Sequence, residues 1–164
     1  MNIKKLILSC FGAGFLPFAP GTWGSLLALA VFLAVRHFWP VEIILVILLV
    51  VMMVVSSVLC LLFAGEAEKL GDKKDPGWIV IDEFAGQSVA LLSAAVTSRN
   101  VLVVAVAAFV LFRIFDILKP PPVREVQYLK GGIGVLADDL VAGVMAGVVL
   151  CAISALFTFV QLSD

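Results

Sequence analysis

Charge and histidine are what this sequence has least of. Charged residues make up 14% of the 164-residue chain, where soluble domains carry about a quarter. There is one histidine, His37, and the topology that the lysines and arginines imply puts it on the outer side, away from the acids, so histidine-dependent phosphate chemistry is excluded. The formal net charge of -1 leaves no basic footprint for a nucleic acid. Three cysteines, Cys10, Cys60 and Cys151, lie far apart in or near apolar runs. An odd count without ligand spacing argues against both a disulfide framework and a zinc site. The first nine residues hold two lysines, a short apolar stretch and no small-residue cleavage site, so a signal peptide is not expected.

What the chain has instead is apolar surface. Hydrophobic residues make up 63% of it, and one domain over residues 1–164 has too little interior to hide them. The surplus must face lipid. Against the ~20 residues a helix needs to cross a bilayer, Glu42 to Ala64 and Leu140 to Leu162 read as strong spans. Val101 to Leu118 is nearly as good, and Ser25 to Trp39 and Phe84 to Thr97 are shorter. The expected fold is an all-α polytopic membrane bundle of about five spans, with four spans plus a re-entrant helix as the alternative. Residues 1–10 are expected to form a short cytoplasmic N-terminal segment.

Charge asymmetry orients the five-span reading. With the N-terminus inside, Lys4, Lys5, Lys69, Lys73, Lys74, Arg113, Lys119, Arg124 and Lys130 fall on the cytoplasmic side, leaving Arg36 and Arg99 outside. Nine against two is a clear positive-inside bias. The outer links are a few residues long, whereas the inner ones, Gly65 to Ile81 and Lys119 to Ala137, are long and carry charge, glycine and proline. Long loops on one side of a compact scaffold are where function tends to sit.

Four clusters fall on that side. In Phe11 to Ser25, two prolines and four glycines predict irregular backbone. Gly21, Thr22, Gly24 and Ser25 then open a helix whose free N–H groups suit an anion, or whose Thr or Ser is simply a cap. Asp82 and Glu83 start the third span between Ile79-Val80-Ile81 and Phe84-Ala85; they are either dipole partners or carboxylates retained at a membrane boundary for function. Asp75-Pro76-Gly77 upstream reads as a turn. Arg113, Asp116 and Lys119, spaced by three, share a helical face before Pro120-Pro121-Pro122. They read either as an ion pair closing the helix or as a phosphate grip beside a metal-ligating aspartate. Gly131 to Gly134 reads as a flexible turn into a helix opened by Asp138 and Asp139. One of these can cap, but two adjacent acids are better explained by a cation between them. Gly143 and Gly147 form a G-x-x-x-G pattern suited to close helix packing.

Together, Asp82, Glu83, Asp116, Asp138 and Asp139 are the candidate catalytic acids. Hard oxygen donors without His or Cys suit Mg²⁺ or Mn²⁺ rather than zinc. Asp82, Glu83, Asp116 and Asp139 are the expected metal ligands, with Arg113 and Lys119 supplying fixed positive charge to phosphate. No cysteine has an arginine six positions later, no D-x-D pair is present, and no G-x-x-x-x-G-K-[ST] loop offers an ATP site.

Four stretches, F-G-A-G-F-L-P-F-A-P-G-T-W-G-S (Phe11 to Ser25), D-P-G-W-I-V-I-D-E-F-A-G (Asp75 to Gly86), F-R-I-F-D-I-L-K-P-P-P (Phe112 to Pro122) and G-G-I-G-V-L-A-D-D-L-V-A-G (Gly131 to Gly143), resemble the phosphatidylglycerophosphatase A family, in order and over roughly residues 10 to 160. The resemblance implies a bacterial inner-membrane enzyme that requires Mg²⁺. It would remove the terminal phosphate from phosphatidylglycerol phosphate to leave phosphatidylglycerol. It carries the family's acidic positions onto Asp82, Glu83, Asp116, Asp138 and Asp139, its basic ones onto Arg113 and Lys119, and its glycines onto Gly21 and Gly24. The departure is Ile81, where a Trp is expected. Two other classes fit less well. The dense aspartate motif of CDP-alcohol phosphotransferases is absent, and a cation path would need polar residues midway through the spans, where only Ser56-Ser57 and Gln87-Ser88 offer themselves.

Overall fold

The computed structural model describes residues 3–71, 76–96, 100–129 and 132–163. It is helical throughout, with no strand among the described residues: α1 (Ile3–Leu8), α2 (Pro20–Phe38), α3 (Glu42–Gly71), α4 (Ile81–Ala95), α5 (Val101–Leu118), α6 (Val123–Val126) and α7 (Gly132–Ser163), with a 3-10 turn at Ala13–Phe15. Among the described residues, four helices are long and apolar enough to cross a membrane: Pro20–Phe38, Glu42–Gly65, Val101–Leu118 and Gly132–Leu156. The chain is a membrane protein.

The fifth expected span, Phe84 to Thr97, is α4, and Thr97 lies outside the described residues. At fifteen residues α4 is about 22 Å long, less than the ~30 Å apolar core of a bilayer. It needs no lipid-matched length, because it packs against α2, α3, α5 and α7 and eleven of its residues are buried.

Three other boundaries differ from those the sequence predicts. α2 starts at Pro20, one residue before the Gly21 opening and well before the apolar run from Ser25, because a proline at the first helical position gives up an N–H that would be unpaired anyway. Irregular backbone is confined to the stretch before it, where Cys10, Phe11, Phe18 and Ala19 have positive φ. α3 runs past Ala64 to Gly71, since Glu66, Ala67, Glu68 and Lys69 favour helix strongly enough to carry it through Gly65, and no proline intervenes. The inner link from Gly65 is therefore partly helical. Asp75 and the charges at residues 72–74 and 130 lie outside the described residues. α7 starts at Gly132 rather than at Asp138, ahead of the apolar run from Leu140. Its glycines serve packing, not flexibility: a Cβ on Gly134 would run into the Leu129 carbonyl, and one on Gly132 would sit 3.4 Å from the Cys60 carbonyl oxygen.

Two apolar clusters hold the bundle. One, built from Phe32, Leu45, Leu49, Leu91, Ala108, Phe112 and Ala146 with their neighbours, joins α2, α3, α4, α5 and α7. The other, Leu8, Cys60, Ala64, Ile79, Val80, Ile81, Val135 and Leu136, ties α1 and the start of α4 to α3 and α7.

Candidate functional site

The acids stand where two helices cross closely. Gly86 on α4 and Gly143 on α7 let the backbones touch: a Cβ on Gly86 would lie 2.5 Å from the Asp139 carbonyl oxygen, and one on Gly143 would collide with the Gly86 carbonyl. Asp82 is one turn before Gly86, and Asp139 is one turn before Gly143. The crossing therefore sets the gap between the two carboxylates. A carboxylate oxygen from each of Asp82, Glu83 and Asp139 lies within 4.8 Å of the other two. Asp82 and Asp139 are only 3% and 4% exposed. Asp82 accepts the Glu83 N–H at 3.1 Å, while Glu83 Oε2 and Asp139 Oδ1 are buried without a hydrogen-bond partner.

Three carboxylates this close, and largely removed from water, repel one another and lose hydration. Two oxygens left unpartnered inside that group are what a hard cation would satisfy, and an all-oxygen donor set suits Mg²⁺. The residues present therefore fit the metal expected from the sequence. Asp116 sits at the edge of the trio. It pairs with Arg113 at 2.6 Å, and its charge bears on both Glu83 and Asp139.

The basic residues line the same end. Arg113 Nη1 also donates to Ser25 Oγ at 3.4 Å, and Ser25 in turn donates to the Gly21 carbonyl at 2.9 Å. Arg113 Nε is buried and unpartnered. Lys119 does not share the helical face of Arg113 and Asp116, because it is the left-handed cap of α5. It turns instead to Asp138, whose Oδ2 it pairs with directly. Burial works against its charge, but Asp138, with help from Asp116 and Asp139, outweighs that and holds the ammonium above its ordinary range. Asp138 lies in the second turn of α7, so it caps nothing.

The glycine-rich start of α2 closes the site from the side. A Cβ on Gly21 would collide with Glu83 Oε1 and lie 3.1 Å from Arg113 Nη1, so glycine here admits both groups to the first turn of α2. The Glu83 carboxylate therefore packs directly beside Gly21 at this helix end. Gly24 serves packing, since a Cβ there would sit 2.6 Å from the Val80 carbonyl oxygen. Thr22 is half-buried, and its N–H already bonds the Ala19 carbonyl at 2.8 Å.

One feature escaped the sequence reading, and a second, Gln87, reads there only as a polar position within a span. Asp82–Gly86 (D-E-F-A-G) and Asp139–Gly143 (D-L-V-A-G) share one spacing, acid then glycine a turn later, and this repeat was a legible signal of the crossing. Gln87, one turn past Glu83, is fully buried with both amide atoms unpartnered. Nothing in the sequence separates it from a polar residue lining a path. The Cys10 thiol is no nucleophile: burial, reinforced by the charge of Glu83, pushes it up to about 12, and it donates to the Val80 carbonyl at 3.7 Å.

Comparison with known proteins gives a consistent picture. The family model described as Phosphatidylglycerophosphatase A matches residues 6–154. A protein of Bacteroides thetaiotaomicron named "Putative phosphatidylinositol-3-phosphatase" is 40% identical over 152 residues, covering 90% of this chain and 91% of its own length. The phosphatidylglycerophosphatase A of Haemophilus influenzae is 36% identical over 154 residues, covering 93% and 90%. That of Escherichia coli is 39% identical over 153 residues, covering 91% and 82%. No solved structure matches.

Proposed function

The chain belongs to the phosphatidylglycerophosphatase A family, an enzyme family of phosphatases, and from that premise we propose that it hydrolyses the terminal phosphate of phosphatidylglycerol phosphate in a Mg²⁺-dependent reaction. The observation that carries the reading is the trio of buried Asp82 and Asp139 with half-buried Glu83, which together hold two unpartnered oxygens, at the helix ends where a lipid headgroup would lie.

Asp82, Glu83 and Asp139 would hold the metal, with Asp116 beside them. Bound there, Mg²⁺ would supply Lewis-acid polarisation of phosphate oxygens and a lowered pKa for water. Arg113, already aimed at the trio's edge through Asp116, would grip the phosphate, its planar fork matching two oxygens at once. Lys119 would add a second positive charge, held in place by Asp138. Asp138 is thus assigned to positioning Lys119. Gly21 and Ser25 fix Glu83 and Arg113 against α2. Attack by water and transient phosphorylation of a carboxylate are both compatible with these residues.

The cellular setting we propose is the bacterial inner membrane, with the N-terminus and the carboxylates cytoplasmic. The positive-inside count supports it, and in that arrangement α4 starts at the site end together with α2 and α7.

The test is phosphate release by the purified chain in detergent, with phosphatidylglycerol phosphate, with and without Mg²⁺. Release only with the metal is expected. A second reading comes from the name of the Bacteroides relative: the same site would serve phosphatidylinositol 3-phosphate, also a phosphate monoester on a polyol headgroup. Release from that lipid, and none from phosphatidylglycerol phosphate, would replace the first reading with the second.

A further inference from the structure

The segment between α1 and α2 carries apolar side chains that the site does not use. Phe15, Leu16, Pro17, Phe18 and Ala19 are all exposed, and Phe11 and Phe18 are 82% and 92% exposed. Their apolar surface continues directly onto Trp23 and Leu26, exposed on the first turns of α2, one of the helices able to cross the membrane.

This segment is held firmly in an unusual shape. Phe11 and Phe18 have φ of 59° and 63°, a region bulky residues rarely occupy without support. The Trp23 indole N–H donates to the Pro17 and Phe18 carbonyls at 3.3 and 3.1 Å. Phe15 stacks on Trp78 with ring centres 5.8 Å apart, and Lys5 lies 5.9 Å over the same indole. The Val80 N–H bonds the Leu8 carbonyl at 2.9 Å, and Gly14 and Gly24 both pack on residues 78–80. That short stretch leads straight into Asp82 and Glu83.

We propose that Phe11 to Ala19 form a rigid wedge inserted in the bilayer at the mouth of the carboxylate site, seating the glycerol and acyl portion of the lipid whose phosphate the site receives. The occupant is phospholipid rather than a second copy of the chain. The exposed phenylalanines are an extension of a lipid-facing helix surface, and Lys5 at the wedge's base suits an anionic headgroup layer. Large exposed apolar patches mark membrane or protein contacts, and aromatic side chains favour the interface depth at which a span begins. The seating of substrate rests on the lipid-phosphatase reading; the insertion does not.

Two measurements on the full chain separate these points. In phosphatidylcholine vesicles, Phe18→Trp should add emission over the unsubstituted protein that is quenched by lipids brominated near the glycerol and spared by aqueous iodide. Quenching by iodide would overturn insertion, and so would protection from both quenchers, the result expected of a face covered by a second copy. In the second measurement, Phe11→Ser/Phe18→Ser should lose about tenfold in kcat/KM for a long-chain lipid phosphate in vesicles. It should keep its rate on a short-chain, water-soluble lipid phosphate. Equal losses on both substrates, or no loss on either, would overturn the seating. If the unsubstituted protein turns over neither substrate, the phosphatase reading fails while the quenching still decides insertion.

Discussion

α4 and α5 are neighbours in sequence and in space, and they invert the usual relation between polarity and burial. α4 carries Asp82, Glu83, Gln87, Ser88 and Ser93, yet eleven of its fifteen residues are buried. α5 is almost wholly apolar over Val101 to Phe112, yet only Ala105, Ala108 and Phe112 of its eighteen residues are buried, and Leu102, Val103, Val106 and Val110 are all exposed. In a bilayer the apolar helix is the one that can face outwards. Polar groups must be enclosed by protein, because lipid offers no hydrogen bonds. Hydropathy here reports contact with lipid, and polarity within an apolar setting reports the functional core.

The hardest way to break the contrast is to remove charge from the enclosed helix and its partner. Asp82→Asn and Asp139→Asn should each lower phosphate release by at least ~10²-fold, as expected for groups that hold a metal or developing charge. Both variants should still extract and run as folded protein. Turnover near that of the unsubstituted enzyme in both would remove the trio from the mechanism. Next comes the crossing that brings these acids together. Gly143→Ala places a methyl against the Gly86 carbonyl and should destabilise the protein by about 1–3 kcal/mol in thermal unfolding in detergent. Gly147→Ala, with its nearest neighbour at 3.9 Å, should cost less than about 0.5 kcal/mol. Similar losses in the two would mean that α4 and α7 do not cross at Gly86.

Much of this was legible in the sequence, for physical reasons that also explain what was not. Apolar runs near membrane length exposed α3, α5 and α7, because lipid imposes a length on whatever it surrounds. α2 and α4 both looked like short spans, α2 because its first turn from Pro20 is glycine-rich, and α4 because it escapes that rule. The acids could be collected on one side from Lys and Arg counting alone, since each lies near a helix end. Which of them meet could not be read, because that depends on glycine contacts between helices distant in sequence, and Gly131 to Gly134 looked like a flexible turn for the same reason. Lys119 resembled a third member of a helical face until the left-handed cap turned it towards Asp138. Cap geometry of that kind is set by the residues after the helix, here three consecutive prolines.

Gln87 sharpens the comparison at smaller scale. An amide with both atoms buried and unpartnered is costly, and Leu is near enough in size to fill its place. Gln87→Leu should therefore raise thermal stability by about 1 kcal/mol and leave phosphate release within about threefold. A large loss of release with the fold intact would place Gln87 in the site beside Glu83.

The smallest effect belongs to the other helix. Val106 on α5 is 45% exposed, so a side chain there meets acyl chains that adapt to its shape. Val106→Leu should change stability by no more than about 0.5 kcal/mol. Two residues along the same helix, Ala108 is fully buried among its neighbours, and Ala108→Leu should cost about 1–3 kcal/mol because a close-packed interior cannot yield. One side chain is enlarged in each case, and lipid against protein is what separates the outcomes. If Val106→Leu proved as damaging as Ala108→Leu, that face of α5 would be packed against protein, and the inverted relation between α4 and α5 would not hold.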